Sequence, residues 1–228
     1  MSESRTARVT VISGVLFVVL FIVAFLAFTR SGFPDSGDPA AKIAAYLGAH
    51  RGAMLAQQVC IGASFLAAAV FIGGLVTLMW RTEAARPLAV IAAVGGAAAG
   101  GMGLMGSALF TTLAYRPPVG DPGLMRTLLD AGYVTFNTSG WLLAAFIGAT
   151  SVAALATRAL PRWTGDVGLP VAALQILGAM AYARGDGGLS PQGWVTIVAA
   201  LGFVVWIGCV CVALRRPQEA VSPAPAPA

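Results

Sequence analysis

The sequence predicts an all-α integral membrane bundle of six transmembrane helices, with both termini cytoplasmic and two short interfacial helices on the outer face. Three observations carry this. Of 228 residues, 58% are hydrophobic and 10% charged, with a mean hydropathy of +0.83, which excludes a soluble globular domain and a disordered chain. Six stretches run without charge for about the 20 residues that a hydrocarbon core requires. The basic residues are divided unequally between the two sets of connections, and short cytoplasmic loops retain positive charge. Fourteen basic against nine acidic residues give a net charge of +5, spread too thinly to form a nucleic-acid-binding patch.

The spans lie at about 9–29, 54–80, 87–115, 133–157, 167–183 and 192–214. A charge at the centre of a span costs about 2.5 to 3.5 kcal/mol on insertion scales, so charged residues bound each of them. The first follows Arg5 and Arg8. Its apolar run exceeds the roughly 7 to 15 residues of a signal-peptide core, so it reads as an uncleaved anchor. The fifth, with 17 residues, is at the lower limit, and Pro170 is read in its first helical turn, where a missing N–H costs nothing. Beyond the sixth, residues 217–228 are rich in Pro and Ala, alternating over the last six, and read as a disordered cytoplasmic tail.

One set of flanks holds Arg5, Arg8, Arg81, Arg86, Arg158, Arg162, Arg215 and Arg216, eight basic against four acidic residues for a net of +4. The other holds Arg30, Lys42, Arg51, Arg116, Arg126 and Arg184, six against five for +1. The first set is therefore expected in the cytoplasm, which places both termini there. The expected location is the inner membrane of a bacterium. Thirteen arginines against one lysine, with abundant Ala and Gly, suggest a high-G+C source.

Each outer connection ends in a helix-opening pair: Asp38-Pro39, Asp121-Pro122 and Ser190-Pro191. Behind the first, Ile43, Tyr46, Leu47 and His50 fall at helical spacing; behind the second come Leu124, Leu128 and Leu129. These are the two expected interfacial helices.

The third span is rich in glycine. Gly96, Gly100, Gly103 and Ser107 repeat at a period near 3.5, a smooth stripe for close packing within the bundle, for a dimer interface or for a sliding surface in a conformational change. The expected protein partners are a second copy or a membrane partner protein. Polar groups gather toward the outer half. His50, Met54, Gln57, Cys60 and Ser64 form one stripe, and Asn137, Gly140, Ala144, Gly148 and Ser151 another. Thr111, Thr112, Gln192 and Thr196 lie at the same level, and Gln175 sits near the middle of the fifth span. Polar side chains avoid lipid and turn inward, to bond between helices or to line a pocket. His50, Gln57, Gln58, Asn137, Ser139 and Gln175 are the candidate ligand-binding residues.

Several chemistries find no support. No Asp, Glu, Lys, Arg or His lies within a span core, whereas ion-coupled transporters place one near the midplane. Thr138-Ser139-Gly140 resembles the nucleophile segment of intramembrane serine proteases, but the single histidine, His50, precedes the second span instead of lying on a late one. One histidine with scattered methionines offers no bis-His haem site and no zinc site. His50 with Met54 is a weak copper motif. Cys209 and Cys211 point to different helix faces. No catalytic set, metal or cofactor is assigned.

The segment Tyr46 to Arg51 entering span two, Leu160-Pro161-Arg162-Trp163 before span five, Pro191-Gln192-Gly193 opening span six, and Trp206 ahead of Arg215-Arg216 together resemble a family of bacterial six-span membrane proteins defined as a domain of unknown function. The resemblance covers nearly the whole chain. It implies architecture alone, with no activity or site residue to carry over. The expected function is that of a non-enzymatic membrane protein binding a lipidic or small apolar ligand, or a partner protein, through its outward half. The alternatives are a transporter of small uncharged solutes and, behind it, an intramembrane hydrolase using Ser139 or His50.

Overall fold

The computed structural model describes residues 3–30, 32–34, 37–117, 121–157, 159–183 and 187–215. The Pro/Ala tail at 217–228, together with Arg158, Arg184 and Arg216, lies outside the described residues. Six α-helices follow one another: α1 (Glu3–Arg30), α2 (Ala40–Trp80), α3 (Arg86–Tyr115), α4 (Pro122–Thr157), α5 (Arg162–Ala179) and α6 (Trp194–Arg215). Short 3-10 turns stand at Glu83–Ala85, Ala181–Ala183 and Gly187–Leu189, and no strand occurs among the described residues. All six helical segments are long and apolar enough to cross a membrane. Val59, Leu66 and Val94 are 72%, 70% and 63% exposed, a surface unfavourable in water and suited to acyl chains. The architecture is that of a multi-pass membrane protein.

The helices form a closed ring in chain order. Each packs on the next, α6 returns to α1, and the α3–α4 contact is the most extensive. Two buried clusters divide the interior. The one at the end holding the chain termini is built around Phe17, Phe71, Phe146 and Trp206. The other, at the opposite end, gathers Ile43, Leu47, Phe110, Leu113, Met125 and Leu129.

That second cluster accounts for the two expected interfacial helices. Both segments are helical, but each is the first part of a long helix: 40–49 is continuous with α2, and 122–132 with α4. At about 1.5 Å per residue, the 41 residues of α2 extend to about 60 Å, twice the thickness of a hydrocarbon core. The helix bends at His50 (φ −118°, ψ 15°). The bend lays Ile43 and Leu47 against Met125 and Leu129 of α4, and Arg126 donates to the Asp38 carbonyl. The pair forms a cap of its own at this end of the bundle.

The helix openings differ in detail. Asp121 is a true cap, its Oδ1 accepting from Leu124 N–H at 2.9 Å. At the other opening the N-cap position is Pro39, which has no side-chain cap bond to offer, and Asp38 pairs with Lys42 at 2.8 Å. Pro170 requires a correction: it lies inside α5, which begins at Arg162, five residues before the expected start. The charge-free criterion excluded Arg162 and Asp166, although a helix can continue past the hydrocarbon edge. α6 begins at Trp194, because Pro191-Gln192-Gly193 belongs to the preceding turn.

The glycines of α3 serve two faces. Along the expected stripe, a Cβ on Gly96 would stand 3.0 Å from Ile72 of α2, one on Gly103 would overlap the Phe65 ring, and Ser107 bonds Gln58. Gly100 meets nothing within 4 Å and borders an apolar groove between α2 and α3. A second face, Gly95 and Gly106, abuts α4. In detergent, Gly100→Ala is expected to hold or raise the melting temperature, since Ala gains up to about 1 kcal/mol of helix propensity and meets no obstacle. Gly103→Ala is expected to cost about 1 kcal/mol through overpacking. Equal melting temperatures for the two variants would contradict this placement of α2.

Candidate functional site

Between the two buried clusters lies a cavity of about 350 Å³, near the lower end of the roughly 300 to 1,000 Å³ typical of small-molecule sites. Its apolar wall comes chiefly from α1, where Phe17, Phe21, Phe25 and Phe28 repeat at helical spacing and the last three line the cavity. Consecutive rings of this stripe lie 5.6 and 6.4 Å apart. Phe110 of α3 and Phe136 of α4 complete the wall, their ring centroids 5.8 Å apart. Toward the loops the cavity is roofed by Phe33, whose ring lies 4.7 Å from Phe28, 6.2 Å from Phe110 and 6.4 Å from Tyr133. The terminal cluster of Phe17, Phe71, Phe146 and Trp206 fills the other end of the bundle.

The polar part of the lining consists of amides and hydroxyls. Gln57 Nε2 donates to the Ala24 carbonyl of α1 at 3.1 Å. The neighbouring Gln58, about 100° further round the helix, accepts from Ser107 Oγ of α3 at 2.6 Å through Oε1. Asn137 Nδ2 donates to the Pro191 carbonyl at 3.3 Å. Gln192 Nε2 donates to the Pro34 carbonyl at 3.3 Å and to Tyr133 Oη. These bonds tie α1, α2, α3, α4 and the turn before α6 together around the cavity. Each of the first three amides uses one of its two polar atoms. Gln57 Oε1, Gln58 Nε2 and Asn137 Oδ1 have no partner among the described residues.

Thr196 is the exception among the hydroxyls. Within the helices, serines and threonines such as Thr111, Thr135, Thr150 and Ser151 bond back to a carbonyl four residues earlier, the usual arrangement in membrane helices. Thr196 stands in the first turn of α6, and the residue four before it belongs to the turn rather than to the helix. Its Oγ1 is buried without a hydrogen-bond partner among the described residues, and the residue lines the cavity. A native structure leaves such a group unpaired only rarely, because it costs roughly 1 to 3 kcal/mol.

Among the described residues, no carboxylate, guanidinium, ammonium or imidazole lines the cavity. The arrangement suits an apolar body carrying one or two uncharged hydrogen-bonding groups.

Of the six candidate residues, the structure brings Gln57, Gln58 and Asn137 together on this one cavity. The other three lie elsewhere. His50 is exposed at the bend of α2, its ring 4.4 Å from that of Tyr46 and its Nδ1 3.2 Å from the Tyr46 carbonyl. Ser139 Oγ donates to its own helix at the Phe136 carbonyl, 2.6 Å away, and shares no bond with His50. Gln175 Nε2 donates to the Ala199 carbonyl at 2.6 Å, tying α5 to α6. Sequence reasoning missed the aromatic wall, although four phenylalanines at positions 17, 21, 25 and 28 are a readable signal. Gln192 and Thr196 were legible as polar positions, but their convergence on Asn137 and Tyr133 was not.

No family model, no curated protein and no solved structure matches the chain. The six-span family that its motifs resemble is therefore not shown by these comparisons.

Proposed function

We propose that this is a non-enzymatic multi-pass protein of the inner membrane, with both termini cytoplasmic, that binds an uncharged, mostly apolar small molecule in the cavity between α1, α2, α4 and α6. The observation that carries the reading is the phenylalanine-lined cavity holding three half-used amides, bordered by Thr196, whose hydroxyl is buried without a partner among the described residues. A ligand hydroxyl, carbonyl or amide satisfies these groups, and the rings accept its apolar part. The absence of charge among the described lining residues argues for a neutral ligand, since a buried unpaired charge is costly. The packed terminal cluster favours binding over passage, because Phe17, Phe71, Phe146 and Trp206 occupy the path toward the other end of the bundle. The excess of basic residues on the connections at the terminal end supports the cytoplasmic orientation.

The test uses 1-aminoanthracene, an uncharged aromatic amine whose emission rises in apolar surroundings. Full-length protein in mild detergent is expected to bind it saturably. Ala200 lines the cavity from α6, and Ala200→Phe is expected to abolish saturable binding by filling the space while leaving the melting temperature within a few degrees of wild type. Undiminished binding in a folded Ala200→Phe protein would overturn the assignment.

A further inference from the structure

We infer that the occupant is a neutral amphiphile drawn from the bilayer, held by a hydroxyl-bearing head inside the cavity with its chain leaving between α1 and α6. This rests on the cavity reading above and adds the source and chemical class of the ligand.

The route follows from where the cavity is closed. The loop end is roofed by Phe33 among the rings of Phe28, Phe110 and Tyr133, and Gln192 ties the turn before α6 to Pro34. The terminal end is filled by the large buried cluster. On the α2, α3 and α4 sides, Gln58–Ser107 and the ring contact of Phe110 with Phe136 join adjacent helices.

The α1–α6 side differs. The two helices meet near the termini, where a Cβ on Gly14 would stand 2.6 Å from Cys211 Sγ, Cys211 Sγ lies 3.8 Å from the Val11 carbonyl, and the Phe17 and Phe203 rings are 5.5 Å apart. Further along, Phe21, Phe25 and Phe28 of α1 and Ala200, Ile197 and Thr196 of α6 border the cavity. Ile197 lines it while remaining 37% exposed, so the wall here is one side chain thick. This seam lies between two helices whose outer faces are apolar: Ile22, Leu26, Val198 and Leu201 are all exposed. A molecule entering through it comes from acyl chains rather than from water.

The size and polarity of the space select the ligand. A cavity of 350 Å³ takes on the order of ten water-sized groups, enough for a small polar head and the first few carbons of a chain. The remainder of a long chain extends through the seam. The head meets the amide groups of Gln57, Gln58 and Asn137 beside Thr196, and among the described lining residues there is no cation to receive a phosphate or carboxylate. A monoacylglycerol has this chemistry: two hydroxyls and an ester on a single chain.

The experiment reconstitutes the full chain in phosphatidylcholine vesicles containing a monoacylglycerol with a diazirine in its chain. The comparison probe is the same chain carrying a phosphate head. After irradiation, peptide mass spectrometry is expected to find the neutral probe on residues 21–29 of α1 and 196–201 of α6, at least tenfold above the phosphate probe. Thr196→Val removes a hydroxyl that has no partner among the described residues, so it should keep or raise the melting temperature and reduce neutral labelling about three- to tenfold. Equal labelling by both probes, or full labelling of Thr196→Val, overturns the inference. Saturable 1-aminoanthracene binding without neutral-lipid labelling at the seam leaves the cavity reading standing and defeats the amphiphile. Loss of both signals defeats both.

Discussion

Trp206→Ala is expected to lower the stability of the detergent-solubilised protein by about 3 kcal/mol, the low end of the range for Trp truncation in protein cores. Trp206 is fully buried at the centre of the terminal cluster. Its ring meets Phe146 edge-on at 5.5 Å and stacks against Phe203 at 6.3 Å, while Nε1 donates to the Thr164 carbonyl of α5 at 3.3 Å. Truncation therefore opens a cavity among α1, α4, α5 and α6 and leaves a carbonyl short of a donor. In a membrane the transfer term is small, because lipid solvates an exposed indole nearly as well as the interior does. What remains is lost packing and lost hydrogen bonding, hence the low-end figure. Trp206→Phe should recover about half of the loss, restoring ring contacts but not the N–H. The measurement is the midpoint of unfolding on titration with dodecyl sulfate. A midpoint unchanged in Trp206→Ala would mean that this cluster does not hold the helices together.

Gly95→Val is expected to be comparably damaging, by about 2 to 3 kcal/mol from overpacking. A Cβ at Gly95 would stand 2.8 Å from the Leu142 carbonyl oxygen and 3.0 Å from the Phe146 nitrogen. Both are backbone atoms of α4 and cannot rotate aside, whereas the Phe65 ring facing Gly103 can. Relief requires α3 to move away from α4 along the most extensive helix contact in the molecule. Gly101→Val is the control on the same helix, since a Cβ there meets nothing within 4 Å. It should change the unfolding midpoint little. If Gly95→Val and Gly101→Val unfold together, α3 and α4 do not approach as described.

Both experiments probe what was hard to see in the chain alone. The glycines of α3 were legible as a packing stripe at Gly96, Gly100, Gly103 and Ser107, yet Gly100 opens onto a groove, and Gly95, outside that stripe, is pressed against a neighbouring helix's backbone. A period near 3.5 identifies a face but not the helix opposite it, and α3 has two neighbours. The same limit applies to the polar residues. Gln57 and Gln58 are adjacent in sequence, and the helix turns them toward different partners, Ala24 of α1 and Ser107 of α3. Gln175, similar in chemistry and depth, bonds across to α6 outside the cavity.

The helix ends show a related effect. α5 was expected from 167 and begins at Arg162, with Pro170 inside it, because charge marks the edge of the hydrocarbon rather than the end of the hydrogen-bonded backbone. The segments behind Asp38-Pro39 and Asp121-Pro122 are helical as expected. What only the folded chain reveals is that Ile43 and Leu47 meet Met125 and Leu129, so that these turns cap the bundle.

The sequence by itself determined that six apolar helices of this chain are able to span a membrane and roughly where each lies. That follows from local quantities, the transfer free energy of about 20 consecutive residues and the cost of any charge among them. The tertiary structure alone decided which faces meet, and with them the cavity. Helix rotation and separation depend on side chains distant in sequence: Gly14 against Cys211, Gly95 against Leu142 and Phe146, Gly140 against Gln175. Those contacts set how closely each pair of helices approaches, and beyond the Phe17–Phe203 contact α1 and α6 both border the space that Gln57, Gln58, Asn137 and Thr196 line.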